Sequence, residues 1–131
     1  MTEFKLRQRR NSPEKAEQHR LRKLFEACGF TTYNLSQARA SQQTPGLPDL
    51  WLVNPDTGDA LWWESKAPKP NGKPKPLRAE QAAFREECLA CGVGHGWGVL
   101  ADAEAWLEAH GYGKAHPNGF EVARRRQVFA R

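Results

Sequence analysis

Sulfur is scarce in this chain and long apolar runs are missing from it. Three cysteines among 131 residues cannot build the disulfide framework of a small secreted domain, and they read most simply as reduced thiols. No signal peptide, transmembrane run or internal repeat is visible, which excludes a membrane-spanning helix and a solenoid and leads us to expect a single cytoplasmic domain with a modest core. Negative charge is the minority sign. Fifteen Asp+Glu stand against 20 Lys+Arg, a net charge of +5 that favours a polyanionic partner.

The basic residues are clustered. Lys5, Arg7, Arg9 and Arg10 lie in an N-terminal arm over residues 1–11, and Arg124-Arg125-Arg126 lie in a C-terminal segment over 120–131. Lys69, Lys73, Lys75 and Arg78 lie in or just after the stretch 67–76, whose proline content argues against regular structure and for a semi-stiff cationic loop.

Two apolar runs rich in β-formers, Leu50-Trp51-Leu52-Val53 and Ala60-Leu61-Trp62-Trp63, flank the turn residues Asn54-Pro55-Asp56-Thr57-Gly58 and predict a hairpin. Apolar residues on both faces place it centrally in a sheet. Alternation along the second strand puts Trp62, Glu64 and Lys66 on one face and Leu61, Trp63 and Ser65 on the other. Because the start of one hairpin strand faces the end of the other, Asp49, just after Pro48, lands beside Glu64 and Lys66. Two carboxylates in one place can hold a hard divalent cation, and a lysine beside them can orient water or offset charge on a phosphate.

Ser12, Pro13 and Gly29 punctuate a helix over 13–28 whose apolar stripe runs Leu21, Leu24, Phe25, Cys28, with Glu17 in line one turn before it. A second helix, about 77–91, carries Leu77, Phe84, Cys88 and Cys91, interrupted by Gln81. A Glu and a Gln set in apolar rows each need a partner, and both approach the sheet that bears Asp49, Glu64 and Lys66. Phe30-Thr31-Thr32-Tyr33 and Trp97-Gly98-Val99-Leu100 complete the strands, and Asp102 is read as the cap of a last helix through about His110. The order predicts an α/β fold, a mixed central sheet flanked by helices.

Glu17, Gly46-Leu47-Pro48-Asp49-Leu50, Glu64-Ser65-Lys66 and Gln81 together resemble the VRR-NUC family of the PD-(D/E)xK nuclease superfamily, in particular its small stand-alone members from phages and bacteria. The resemblance spans roughly residues 14–101, and it implies a restriction-endonuclease-like core. No Val-Arg-Arg tripeptide occurs, the nearest run being Val122-Ala123-Arg124-Arg125. The resemblance implies that Asp49, Glu64 and the Ser65 carbonyl bind Mg²⁺ or Mn²⁺, that Glu17 contributes directly or through water, that Lys66 is catalytic and that Gln81 supports the site. The activity to expect is a structure-selective DNA endonuclease of the Holliday-junction-resolving kind, hydrolysing phosphodiester bonds with metal-activated water. Arg39, Lys69, Lys73, Lys75 and Arg78 are the expected DNA contacts. Symmetric cutting of a four-way junction by a chain with one catalytic set calls for a homodimer, with Phe120, Val122, Val128 and Phe129 as interface candidates. The alternatives are a nicking, flap or restriction-type nuclease, or a non-catalytic DNA-binding module on the same fold.

Three other patterns carry less. Cys88-x-x-Cys91 with His95 lacks a fourth zinc ligand of convincing spacing, and its thiols fall at a helix C-terminus, where the dipole disfavours thiolate. The glycines of Gly92–Gly98 follow a helix and precede a strand, the reverse of a dinucleotide loop, and read as a connector. The five tryptophans lie in predicted strands and helices, where core packing is expected for most.

Overall fold

The computed structural model describes residues 12–35 and 44–123; the N-terminal arm, Arg39 with its polar neighbours, and residues 124–131 lie outside the described residues. Helix α1 (Pro13–Ala27) starts where the sequence punctuates it. The Ser12 hydroxyl accepts from the Lys15 N–H at 3.3 Å and Pro13 takes the first helical position. The helix stops at Cys28, and Gly29 follows at φ +94°, a left-handed conformation that costs a glycine nothing.

Strands β1 (Thr31–Asn34), β2 (Leu50–Val53), β3 (Ala60–Ser65) and β4 (Gly94–Gly98) form one sheet in chain order. The first two pairings are antiparallel, while β3 and β4 run parallel across helix α2 (Ala79–Ala90). The expected hairpin is β2–β3, in register Leu50↔Trp63 and Val53↔Ala60, and it occupies the middle of the sheet as its two-sided apolar pattern requires. Asn54 secures its turn. The side chain accepts from the backbone of Asp56 and Thr57 and donates to the Cys28 carbonyl at 3.2 Å, tying the turn to the end of α1.

The two faces of the sheet differ. One carries Leu50, Leu52, Leu61 and Trp63, which pack against Leu21 and Phe25 of α1, Phe30, and Ala103 and Leu107 of helix α3 (Leu100–Ala109). Phe25 meets Phe30 edge-on at 5.2 Å and Trp63 at 5.6 Å. The other face carries Trp51, Trp62, Glu64, Lys66 and His95, and α2 covers its β3–β4 half through Phe84, Gln81 and Cys88.

Three local expectations are corrected. The glycine-rich stretch is not merely a connector: from Gly94 onward it is strand β4, and the glycines are needed because the chains approach closely. A Cβ on Gly94 would sit 2.6 Å from the Ala60 carbonyl oxygen, and one on Gly96 would sit 2.3 Å from the Trp63 ring. The last strand therefore ends at Gly98, before the predicted Trp97–Leu100 run is complete. Helix α3 begins at Leu100, so Asp102 lies within its first turn and reaches back to accept from the Val99 N–H at 2.9 Å. A second hairpin, β5 (Gly113–His116) with β6 (Gly119–Val122), follows α3 and was not anticipated. It packs Phe120, partly buried, against the core.

Gly96→Ala is expected to destabilise the protein by about 1–3 kcal/mol, because the buried Trp63 ring cannot yield to the added methyl. The midpoint of chemical denaturation measures it, and a midpoint equal to wild type contradicts this packing.

Candidate metal centre

Asp49 enters the site because of strand register. With Leu50 opposite Trp63, the residue before Leu50 faces Glu64, and alternation points both carboxylates to the α2 side. Fully buried Pro48 fixes the approach. Gly46, at φ +87°, passes so close to the first turn of α2 that a Cβ would lie 2.4 Å from the Glu80 carbonyl oxygen. The glycine of Gly46-Leu47-Pro48-Asp49 thus holds the strand mouth against the helix that carries Gln81.

Asp49 accepts the Ser65 N–H at 3.1 Å. Glu64 is only 4 % exposed, and one carboxylate oxygen each from Glu14, Asp49 and Glu64 lie within 4.8 Å of one another. Burial raises the Asp49 carboxyl above its usual range, opposed by hydrogen bonds from Glu64 and Ser65 and by the charges of Lys66 and Arg78. Burial, followed by the charge of Asp49, pushes Glu64 up to about 9. Without a cation the pair therefore keeps one proton at neutral pH. Three oxygen-bearing groups whose own charges repel, gathered at one point, make a donor set that suits a hard divalent cation such as Mg²⁺ or Mn²⁺.

Lys66 is buried beside them, and its Nζ donates to the Gln81 Oε1 at 2.7 Å. The same oxygen accepts from the Arg78 N–H at 2.9 Å, which fixes the amide orientation at the start of α2. A buried ammonium needs such an acceptor. The cleft around these groups encloses about 590 Å³ and is lined by the acids Glu14, Asp49 and Glu64 and by Lys66, Lys75, Arg78 and Gln81.

Asp49, Glu64, Lys66 and Gln81 are thus brought together as expected. Glu17 is not. It stands outside the group of three carboxylates: its carboxylate accepts from the Leu100 N–H and from Arg20, both at 2.5 Å, and so caps the start of α3. The helix acid that reaches the cluster is Glu14, one turn earlier, which sequence reasoning missed. Ser65 joins the site through its N–H to Asp49, while its hydroxyl is buried without a partner among the described residues. Lys69 and Lys73 sit exposed at the tip of the proline-rich loop, away from the walls of the cleft, and Lys75 and Arg78 line it. That loop is more ordered than its composition predicts. An antiparallel bridge joins Pro68 to Pro74, and the Lys69 N–H donates to the Lys73 carbonyl at 2.7 Å. Arg39 lies outside the described residues.

Among the described residues no other group of three or more His, Cys, Asp or Glu side chains converges in this way. Cys88 is buried and Cys91 exposed, and His95 faces Arg85, whose guanidinium lies 3.1 Å from Nδ1. Burial, with Arg85, takes His95 down to about 4, so it stays neutral. A second concavity of about 300 Å³, between Cys28, Asn54, Thr57 and Tyr112, is a structural joint, with Thr57 and Tyr112 hydroxyls 2.6 Å apart.

The raised Glu64 pKa has a definite sign in stability. Between its ordinary value of 4.5 and about 9, the folded state holds a proton that the unfolded state has released. In chelator, stability is therefore expected to be greatest below about pH 4.5 as far as this group is concerned, and to fall as pH rises toward 9, with a slope of at most about 1.4 kcal/mol per pH unit. Glu64→Gln should flatten that slope. Urea titrations from pH 5 to 9 read it directly, and identical slopes in both proteins contradict the assignment.

No protein-family model matches the chain, nor does any curated protein sequence. A solved structure of a "VRR_NUC domain" is similar to it at 22 % identity and a TM-score of 0.59, with 77 % of this chain and 99 % of that one covered. The chain therefore shares the fold of a VRR_NUC domain.

Proposed function

We propose that the chain is a metal-dependent DNA endonuclease, structure-selective and of the Holliday-junction-resolving kind. The observation that carries this reading is the convergence of Glu14, Asp49 and Glu64 beside a lysine anchored by Gln81, in a cleft rimmed by Lys75 and Arg78. A module that only binds DNA gains nothing by setting three carboxylates where phosphates must lie, and this separates the reading from a non-catalytic binding domain.

Asp49 and Glu64, with Glu14 and the Ser65 carbonyl, are the groups that would hold Mg²⁺ or Mn²⁺, and the cation supplies Lewis acidity toward phosphate and water. Lys66, oriented by Gln81, offers a proton donor and a positive charge where an attacking water and the phosphate oxygens meet. Gln81 acts through Lys66 and is a positioning residue. Lys75 and Arg78 neutralise flanking phosphates, and Lys69 and Lys73 extend the positive surface along the loop. Water adds to phosphorus as one P–O ester bond breaks, and the leaving oxygen takes a proton. The four-way junction and the homodimer that paired cuts require stand on the resemblance and on symmetry. Phe120, partly buried against its own core, offers that interface only its remaining exposed edge.

Asp49→Asn, Glu64→Gln and Lys66→Ala are each expected to lower cleavage at least 100-fold while preserving the fold. Glu14→Gln should impair metal-dependent cleavage more than Glu17→Gln, whose effect should appear as lost stability through the α3 terminus. A gel of linear, flapped and four-way DNA with Mg²⁺, Mn²⁺ or chelator checks this. Wild-type rates in all three primary variants, or cleavage that persists in chelator, contradict it.

Neutralising Lys69, Lys73 and Lys75 together should weaken DNA binding and flatten its salt dependence. Each lost phosphate contact removes about 0.9 from the log–log slope. An unchanged slope would show that the loop does not touch DNA.

A further inference from the structure

We propose that the half of the sheet face left open beside α2 is a base-stacking platform for unpaired nucleotides of the DNA strand entering the cleft, with Tyr33 and Trp51 as its surface. The proposal deepens the nuclease reading of the Asp49–Glu64 cleft and rests on it. The register lines up Tyr33↔Trp51, Trp51↔Trp62 and Trp62↔His95, so one row of rings crosses the whole sheet. Trp51 and Trp62 lie 4.7 Å apart, and Phe84 of α2 closes edge-on over Trp62 at 5.6 Å. Beyond Trp62 no helix among the described residues covers the row. Trp51 is partly exposed and Tyr33 is 52 % exposed.

An aromatic row that the other described residues leave open is a candidate binding surface. The segment 36–43, Ser-Gln-Ala-Arg-Ala-Ser-Gln-Gln, has no apolar side chain larger than alanine with which to cover an indole. Trp51 follows Asp49 by two residues on the same face, a step of about 7 Å along the strand. Whatever rests on Trp51 therefore lies about that far from the strand mouth at Asp49, and the cleft that opens there is lined by the exposed cations Lys75 and Arg78. A polyanion with flat apolar groups satisfies both surfaces at once. Its phosphates meet the cations, and its bases meet the rings, which accept any base because every base has a π-face. Only unpaired bases have that face available, so the platform favours a substrate with unpaired nucleotides next to the scissile phosphate, and within the nuclease reading it favours the flap-type alternative over a fully paired four-way junction. Fully paired duplex cannot use the platform.

The test measures binding of a labelled single-stranded oligonucleotide and of the matching duplex, in chelator so that nothing is cut, to wild type, Tyr33→Phe and Tyr33→Ala. Tyr33 is on the surface, so Tyr33→Ala is expected to fold, and circular dichroism verifies it. Tyr33→Ala should bind the single strand about 5- to 100-fold more weakly, by the loss of one stacked base, and the duplex within two-fold of wild type. Tyr33→Phe should retain single-strand binding. Equal single-strand affinity in all three overturns the platform. So does a loss of dimer mass in light scattering with DNA binding unchanged, which would assign this face to a second copy of the chain. Cleavage by wild type without the binding contrast overturns the platform alone, whereas the contrast without any Mg²⁺- or Mn²⁺-dependent cleavage overturns the nuclease reading and leaves the platform standing.

Discussion

The repulsion between Asp49 and Glu64 is the constraint around which the rest of this structure is arranged. Strand register forces the two carboxylates to face each other at the mouth of the β2–β3 hairpin, and burial of Glu64 removes the water that would screen them. Their environment softens the repulsion by a shared proton, by the Ser65 N–H and by the Lys66 ammonium, and each of these depends on a further element. Lys66 depends on Gln81, and Gln81 on the first turn of α2. That turn lies where it does because Gly46 lets the strand mouth approach it. A carboxylate pair left protonated at neutral pH is a poor structural device and a good cation site, since a divalent ion replaces the proton and relieves the strain that the fold imposes.

The two faces of the sheet divide the work. The α1/α3 side is a close-packed aromatic and leucine core, in which even Glu17 is spent on capping a helix. The α2 side is polar at its cleft end and aromatic below, and among the described residues it is only half covered. The rigid face fixes the strands, and through their pleat it fixes the carboxylates to within the tolerance that chemistry needs. Function is then free to occupy the other face.

Much of this was legible in the sequence, for physical reasons that can be named. A period of two is rigid, so Glu64, Lys66 and Asp49 could be placed on one face as soon as the hairpin was recognised. Gln81 was legible because an amide in an apolar helical row must meet a partner. Glu17 obeyed the same logic and was buried, yet burial did not reveal which partner received it: the Leu100 N–H lies 83 residues along the chain, beyond any local pattern. Glu14 gave no signal of its own, since an exposed acid in the first turn of a helix is ordinary dipole chemistry. The β4 glycines read as a connector because their reason, the ring of Trp63 across the sheet, is tertiary. The open aromatic row was hidden by the same limit, as strand tryptophans look alike whether or not a helix arrives to cover them.

Calorimetric titration of Mn²⁺ into the protein at pH 7, repeated in two buffers of different ionisation enthalpy, tests the central claim most directly. Displacement of the proton held by the Asp49–Glu64 pair predicts about one proton released per ion bound and an affinity that rises up to tenfold per pH unit through the neutral range, with both signatures lost in Glu64→Gln and binding weakened in Glu14→Gln. Absence of binding, or binding that releases no proton and is indifferent to Glu64→Gln, would contradict the account.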